Sequence, residues 1–392
     1  MNIMVITPIY HIKDRPNLFH DSSAIHYLIR PWANTHNVKV IYAYSQPIRC
    51  AKRYFSHKER DYYRKGYHYE VEGVDVAMCE IQRLYRQKDI LNSFQRKRVR
   101  RFIDKVTNEN GFVPDIIVSH IPTSTQDVIP NKFGMIKKVG VVHESDKRNI
   151  RRNYKLIGFL NSYFDVLYCR STSLYRYFSE ETSISVSNEI VYSGAPKTND
   201  VEINDIKPTC FNIVYAGKFI KRKHIDLIIE ALAKIQDKYS FVFQLYGSGP
   251  EYESIRLLLQ TQLRKDKYIL HDEVPRECIL SVFKDSDLFV MPSTEETVGL
   301  VYLEAMSQGC IPIGTKGEGI DGIIVDGSNG LLVNPMDEMD LSRCILRLFD
   351  MNTDNYVEIR KKAIETGRQY NEIDMGYRYL YLITKPLNNT EL

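Results

Sequence analysis

Short runs of β-branched and aromatic residues alternate with helical periodicities along the whole chain. The runs are IMVIT, VKVIYAY, DIIVSH, KVGVVH and DVLYC in the first half, then FNIVYAG, FVFQLYG, YILHDEV, DLFVMPS and CIPIG. Such unbroken apolar runs suit strands covered on both faces, as in a parallel sheet. Between them apolar positions return every three or four residues; Ile225, Ile228, Ile229, Leu232 and Ile235 share one helical face just after FNIVYAG. The alternation predicts an α/β protein with parallel sheets and right-handed crossovers, built as two consecutive sets.

The chain has 392 residues, which suggests two domains, each with its own core. SGAPKTNDVEINDIKP (193 to 208) is polar, contains two prolines and has no periodicity. It marks the joint, giving a first domain over 1–195, a linker over 196–208 and a second domain over 209–370. The tail NEIDMGYRYLYLI is amphipathic and rich in tyrosine, as a terminal helix within 371–392 would be. No internal repeat or low-complexity tract is evident.

Ligands of open α/β sheets bind beyond the carboxyl ends of the strands, and the chemically informative residues fall there. Lys218 and Lys223 flank the turn GKFIKRKH after FNIVYA, and with Lys221 and Arg222 they make four cations at a helix start. The helix dipole disfavours cations there, so the cluster calls for an anion such as a diphosphate; a solvated basic loop is the competing reading. GSGP (247 to 250) and GTKGEGIDG (314 to 322) follow later strands and give flexible backbone, or simply tight connections. MPSTEETVGLVYLEAMSQG (291 to 309) places Glu296 in a polar loop and Glu304, eight residues on, inside the following helix. A helix start favours phosphate and carboxylates accept from sugar hydroxyls, although two glutamates so spaced also occur on ordinary solvated helix faces.

Net charge is +4 but unevenly placed: residues 1–195 carry 30 Lys and Arg against 19 Asp and Glu, and the remainder 23 against 30. A basic first half points to an anionic partner such as a membrane surface or a phosphorylated acceptor. QRKRVRRFIDKV (95 to 106) sets Val99, Phe102, Ile103 and Val106 against a basic back, and CAKRYFSHKERDYYRKGYHY (50 to 69) is basic and aromatic. Both suit an anionic membrane surface; a helix packed on its own sheet is the alternative. Seven scattered cysteines without a C-x-x-C pair argue for reduced thiols and no zinc site. The opening MNIMVITPIY has no charged leader, and no apolar stretch reaches the roughly 18 residues of a spanning helix. Together these read as a cytoplasmic protein, peripheral to the membrane at most.

Taken in order, the motifs of the second half, from about Phe211 to Leu348, resemble glycosyltransferase family 4, the retaining nucleotide-sugar transferases. The resemblance implies the GT-B fold: two Rossmann-like domains with parallel sheets facing across a central cleft. The family's G-R-x-x-x-x-K diphosphate motif reads here Gly217, Lys218 and, five further on, Lys223. Lysine for arginine keeps the charge and loses the bidentate fork. The family's E-x7-E motif matches Glu296 and Glu304, implying that Glu296 contacts donor-sugar hydroxyls and Glu304 the ribose. Thr297, Val298, Gly299, Leu300 and Val301 would offer contacts to sugar and phosphate, Gly247 flexible backbone, and Val274 a contact beside the nucleobase. The closing signature departs from the family, with Glu318-Gly319 for paired glycines and Gly322 in place of an acid, Asp321 standing adjacent. In the first half VGVVHESD resembles the strand ending in a functional histidine, making His143 the candidate near the reacting carbon. Where many members carry a Gly-Gly turn, this chain has NLFHDSS (17 to 23).

The resemblance implies transfer with retention from a UDP- or GDP-sugar to a saccharide, as a lipid-linked acceptor of surface polysaccharide or lipopolysaccharide assembly. Lys218, Lys223, Glu296 and His143 would carry the chemistry. It needs no cofactor or metal, no D-x-D or His/Cys ligand cluster argues for one, and nothing in it calls for nucleic acid. Competing expectations are another GT-B nucleotide-sugar enzyme, an epimerase or a glycogen-synthase-like polymerase, and a non-enzymatic basic module for membrane or RNA.

Overall fold

The structure is a computed structural model describing residues 1–10, 23–47, 67–83, 90–198 and 206–386. It falls into two compact units, the first made of Met1–Arg170, Leu174–Ser193 and Ile373–Leu392, the second of Ser171–Ser173 and Gly194–Glu372.

In the first unit β1 (Asn2–Thr7), β2 (Asn37–Pro47), β3 (Tyr67–Val71), β4 (Val74–Arg83), β5 (Ile116–His120), β6 (Lys137–Val142) and β7 (Val166–Cys169) form a sheet of order β3-β4-β2-β1-β5-β6-β7. Its pairs are parallel except β3 with β4. That hairpin sits at the edge of an otherwise parallel sheet. Val71 faces Val74 across a two-residue turn, and Glu72 and Gly73 both take positive φ, 48° and 76°, as the twist of a tight hairpin requires. Tyr67, His68 and Tyr69, read above as part of a basic aromatic run, lie in β3; residues 50–66 of that run lie outside the described residues.

The helix Ser93–Glu109 opens on a reciprocal cap, Gln95 N–H donating to Asn92 Oδ1 at 2.9 Å and Asn92 N–H to Gln95 Oε1 at 3.0 Å. Val99, Ile103 and Val106 are buried in one core with Met4, Ile6, Ile41 and Ile117, and Phe102 packs against it. The apolar face of this helix therefore covers its own sheet, as the alternative reading had it. What remains at the surface is the basic back, Arg96, Lys97, Arg100 and Arg101 around a shallow 440 Å³ hollow, with Phe94 77% exposed at the first turn. The terminal helix Glu372–Thr384 packs in the first unit from Ile373 onward. Trp32 donates from Nε1 to Gly376 O at 2.7 Å and meets the Tyr379 ring edge-on at 4.9 Å.

In the second unit β8 (Phe211–Ala216), β9 (Phe241–Tyr246), β10 (Tyr268–His271), β11 (Leu288–Val290), β12 (Ile311–Thr315) and β13 (Leu331–Val333) form a wholly parallel sheet of order β10-β9-β8-β11-β12-β13. Ile225, Ile228, Ile229 and Leu232, on the helix Ile225–Ala233, and Ile235 just beyond it are all buried. Strand order reverses between β8 and β11, the switch point where a doubly wound sheet opens a crevice. The loops leaving β8 and β11 flank it. Where the chain enters and leaves this unit it is tied to itself: Ala195 N–H donates to Tyr370 O at 2.9 Å and Glu372 N–H to Ala195 O at 2.7 Å. No helix among the described residues is long and apolar enough to cross a membrane.

Candidate active site

Three turns meet at the crevice of the second unit. Leaving β8, Gly217 and Lys218 are followed by a short 3-10 turn, Lys221–Lys223, and by His224 in the left-handed region at φ 48°. Leaving β9, Gly247 presses so close that a Cβ there would lie 2.0 Å from Gly217 O, and its φ of 152° suits glycine alone. Leaving β11, the polar loop carries Glu296 and enters the helix Leu300–Ser307 through Gly299 at φ 76°.

Between them lies a cavity of 460 Å³. Lys218, Arg222 and Lys223 border it, as do Gly217, Gly247, Val274, Val301 and Glu304. Glu296 stands behind the cations: Lys223 Nζ is 2.5 Å and Arg222 Nη1 3.0 Å from Glu296 Oε2. Lys223 is 8% exposed and also touches Met291 Sδ at 3.2 Å. Burial by itself would raise the Glu296 pKa, but Lys223 and then Arg222 hold it below the usual carboxylate range. For Lys223 burial is the largest influence and lowers the ammonium pKa despite Glu296, with Arg222 adding a smaller push in the same direction. Lys218 is exposed at the cavity edge. Of the remaining expected residues, Val298 is buried and Thr297, Gly299 and Leu300 lie outside the cavity lining.

Glu304, 7% exposed on the helix Leu300–Ser307, is gripped by Arg276, whose Nε donates to Oε1 at 2.6 Å. Arg222, Tyr246, Ser248, Glu273 and Arg276 also border the cavity; the sequence placed Ser248 only in a strand-end turn, and sequence reasoning gave Tyr246, Glu273 and Arg276 no part. Ser248 Oγ donates to Glu273 Oε2 at 2.5 Å and Tyr246 stacks on His271 at 4.1 Å. A signal existed for Arg276, two positions beyond Val274, but nothing in the pattern said which way it pointed.

The glycine-rich segment after β12 backs the Glu296 loop. Glu318 Oε2 accepts from Glu296 N–H at 3.0 Å, and Gly319 N–H donates to Glu296 O at 3.0 Å. Asp321 serves its own turn, accepting from Gly317 N–H at 2.7 Å. A Cβ on Gly319 would fall 2.0 Å from Thr297 O and 2.5 Å from Glu296 O, both backbone atoms. Gly319→Ala should therefore push the Glu296 loop outward and cost about 1–3 kcal/mol of stability. A thermal melt checks this; a variant melting with the wild type would mean the loop yields freely.

His143 belongs to the first unit, at the end of β6, and is 7% exposed. Asp146, in the first turn of the helix that follows His143, accepts from His143 N–H at 2.8 Å and from Thr123 N–H at 3.0 Å. Burial pushes the Asp146 pKa up to about 6 against those donated bonds. His143 Nε2 lies 3.0 Å from His120 Nδ1, and His120 Nε2 lies 3.1 Å from Tyr379 Oη. Burial, with Arg170 nearby, holds both imidazoles well below the usual histidine range, so both are neutral near pH 7. Arg170 is itself buried, its pKa lowered to about 10 by desolvation, and donates from Nη2 to Ser193 Oγ. The segment 17–22, with its missing Gly-Gly turn, lies outside the described residues. Among the described residues no three His, Cys, Asp or Glu side chains group as metal ligands would.

Comparison with known proteins finds a family model that matches part of this chain and relatives that match more of it. Residues 196–370 match the model of the family described as glycosyl transferases group 1. An uncharacterized glycosyltransferase of Methanocaldococcus jannaschii is 26% identical over 269 residues, 65% of this chain and 70% of that protein. The lipopolysaccharide core biosynthesis glycosyltransferase LpsE of Rhizobium meliloti is 25% identical over 262 residues, again 65% and 70%. Among solved structures, sucrose-phosphate synthase from Thermosynechococcus elongatus superposes with a TM-score of 0.73 at 16% identity, covering 97% of this chain and 98% of that one. At that identity the likeness speaks for the fold alone, and the fold is GT-B as expected. The chain is a glycosyltransferase of the GT-B fold, and its residues 196–370 match the glycosyl transferases group 1 model.

Proposed function

We propose that this chain is a retaining glycosyltransferase of family 4. It would move a sugar from a nucleoside diphosphate sugar, with UDP or GDP as the nucleotide, to a lipid-linked saccharide in surface polysaccharide or lipopolysaccharide assembly. The observation that carries the reading is the 460 Å³ cavity at the switch point, with Lys218, Arg222 and Lys223 at one side and Val274 and Glu304 among its other walls. In this reading the cations take the diphosphate and Glu304 the ribose. Val274 lies beside the base, and Glu296, oriented by Lys223 and Arg222, accepts from the sugar hydroxyls.

Cleaving the sugar to phosphate bond leaves positive charge at the anomeric carbon and negative charge on the departing diphosphate. Catalysis is then mainly electrostatic and positional. The departing phosphate takes the acceptor's proton on the face it leaves, which gives retention, and its charge is met by the three cations rather than by a metal ion. His143 would stand near the reacting carbon as a neutral imidazole. The acceptor class rests on the likeness to a lipopolysaccharide core transferase and on the basic back of the helix Ser93–Glu109. With its apolar face spent on the core, that helix would meet an anionic membrane through Arg96, Lys97, Arg101 and the exposed Phe94.

The test is thermal stabilisation by nucleotides and nucleotide-sugars. A ligand that binds only the folded chain, present at about 100 times its Kd, adds about 2.7 kcal/mol, which raises the melting temperature by several degrees. UDP or GDP and one of its sugars should do so at millimolar concentration or below. No shift with any of them would remove the reading.

A further inference from the structure

Arg276 begins the helix Arg276–Lys284 and turns back onto the cavity wall. Its Nε donates to Glu304 Oε1 at 2.6 Å, and Nη2 lies 2.5 Å from the same oxygen. Its third nitrogen, Nη1, lies 3.9 Å from Glu372 Oε2. The three side chains are 24%, 9% and 7% exposed. One guanidinium therefore bridges two carboxylates at the edge of the cavity. Two nitrogens converge on a single oxygen of Glu304. The other oxygen, Oε2, takes no hydrogen bond from the described residues, while the side chain borders the cavity.

We propose that Arg276 is a positioning residue that makes the site select ribose over deoxyribose. Fixing Oε1 fixes the plane of the carboxylate, and so leaves Oε2 set toward an incoming hydroxyl. A ribose hydroxyl then meets an immobile carboxyl acceptor that has already lost its rotamer freedom. A deoxyribose leaves that acceptor desolvated and unpaired, which is costly. Glu372 supplies the second anion that holds the guanidinium when the cavity is empty. The inference rests on the reading of this cavity as a nucleotide site.

The experiment measures Kd by calorimetry for UDP and GDP and for their 2′-deoxy and 2′,3′-dideoxy counterparts, on the full chain and on Arg276→Gln and Arg276→Lys. The wild type should prefer the ribose form by roughly 10- to 100-fold, the range of a hydrogen bond to a charged group. Arg276→Gln should reduce that ratio to within about threefold by weakening ribonucleotide binding alone, and Arg276→Lys should restore part of it. Glu372→Gln should lower the ratio in the same direction and by less. If Arg276→Gln weakens ribose and deoxyribose forms equally, the arginine only supports the wall and the proposal fails. Tighter ribonucleotide binding by Arg276→Gln would make Arg276 a plug over Glu304 and also overturn it. A wild type that binds neither nucleotide defeats the proposed function; one that binds both sugar forms equally defeats only this inference.

Discussion

Glu296→Gln should destabilise the second unit by about 3 kcal/mol and lower turnover roughly 10²- to 10³-fold. Glutamine keeps the volume and one acceptor oxygen, so what goes is the charge. Lys223 then sits 8% exposed with Met291 Sδ and no carboxylate from this loop, and removing one partner of a buried pair costs about 3–5 kcal/mol. The low end applies because Arg222 is 40% exposed on its side chain and can turn to water. The turnover figure is that of losing one preorganised electrostatic group at a reacting centre. The pH dependence has a definite sign. Glu296 is held below the ordinary carboxylate range, so its contribution is present above the unfolded value near 4.3 and vanishes as pH falls through the lower folded value. The stability gap between wild type and Glu296→Gln should be flat near neutrality and close in acid. Lys223 is lowered by burial, so stability rises with pH between its folded and unfolded values. Without Glu296 that rise should begin at lower pH. Denaturation from pH 3 to 10 reads both limbs, and Lys223→Met added to Glu296→Gln should recover part of the loss. A variant as stable as the wild type across that range would mean the pair is solvated.

The strands were legible because parallel strands buried on both faces must be apolar throughout, and FNIVYAG or DLFVMPS permits little else. The hairpin of β3 and β4 was not. Tyr67 to Val71 alternates half-buried with exposed positions, which weakens the apolar run, and its turn is Glu72-Gly73 rather than the stronger Asn-Gly. Its tyrosines and nearby cations looked instead like a surface feature. β13 hid for another reason: three residues, Leu331–Val333, are too few to show a period inside a glycine-rich tract. At the site, Glu296, Glu304 and Lys223 stood out because strand ends and spacing fix where a loop or helix residue begins. Arg222 and Arg276 carry the same chemistry, yet their importance lies in the partners they reach, Glu296 and Glu304, 74 and 28 residues away. Periodicity holds no information about such long-range pairs. The amphipathic pattern of 95–106 was equally true of a membrane helix and of a core helix; only the packing of Val99, Ile103 and Val106 against β-strand residues decides between them.

Lys218→Ala should leave stability within about 0.5 kcal/mol of the wild type while lowering kcat/KM for the donor roughly 10²- to 10³-fold. Lys218 differs from Lys223 in kind. It is exposed and borders the cavity, and no carboxylate among the described residues pairs with it, so the fold loses little with it. A diphosphate leaving group gains charge as the bond to sugar breaks, and a cation aimed there binds the transition state better than the ground state. Lys218→Gln should behave as alanine. Lys218→Arg should keep activity within about tenfold, since arginine restores the charge and adds a planar fork suited to phosphate. Salt gives an independent reading: donor affinity should fall with ionic strength in the wild type and fall less steeply in Lys218→Ala, because one fewer charge meets the phosphates. Melting curves, steady-state kinetics and a salt series on the three variants decide the matter. If Lys218→Ala turns over normally while Arg222→Ala does not, the guanidinium one residue before Lys223 carries the leaving group, and the lysine at the strand end is only surface.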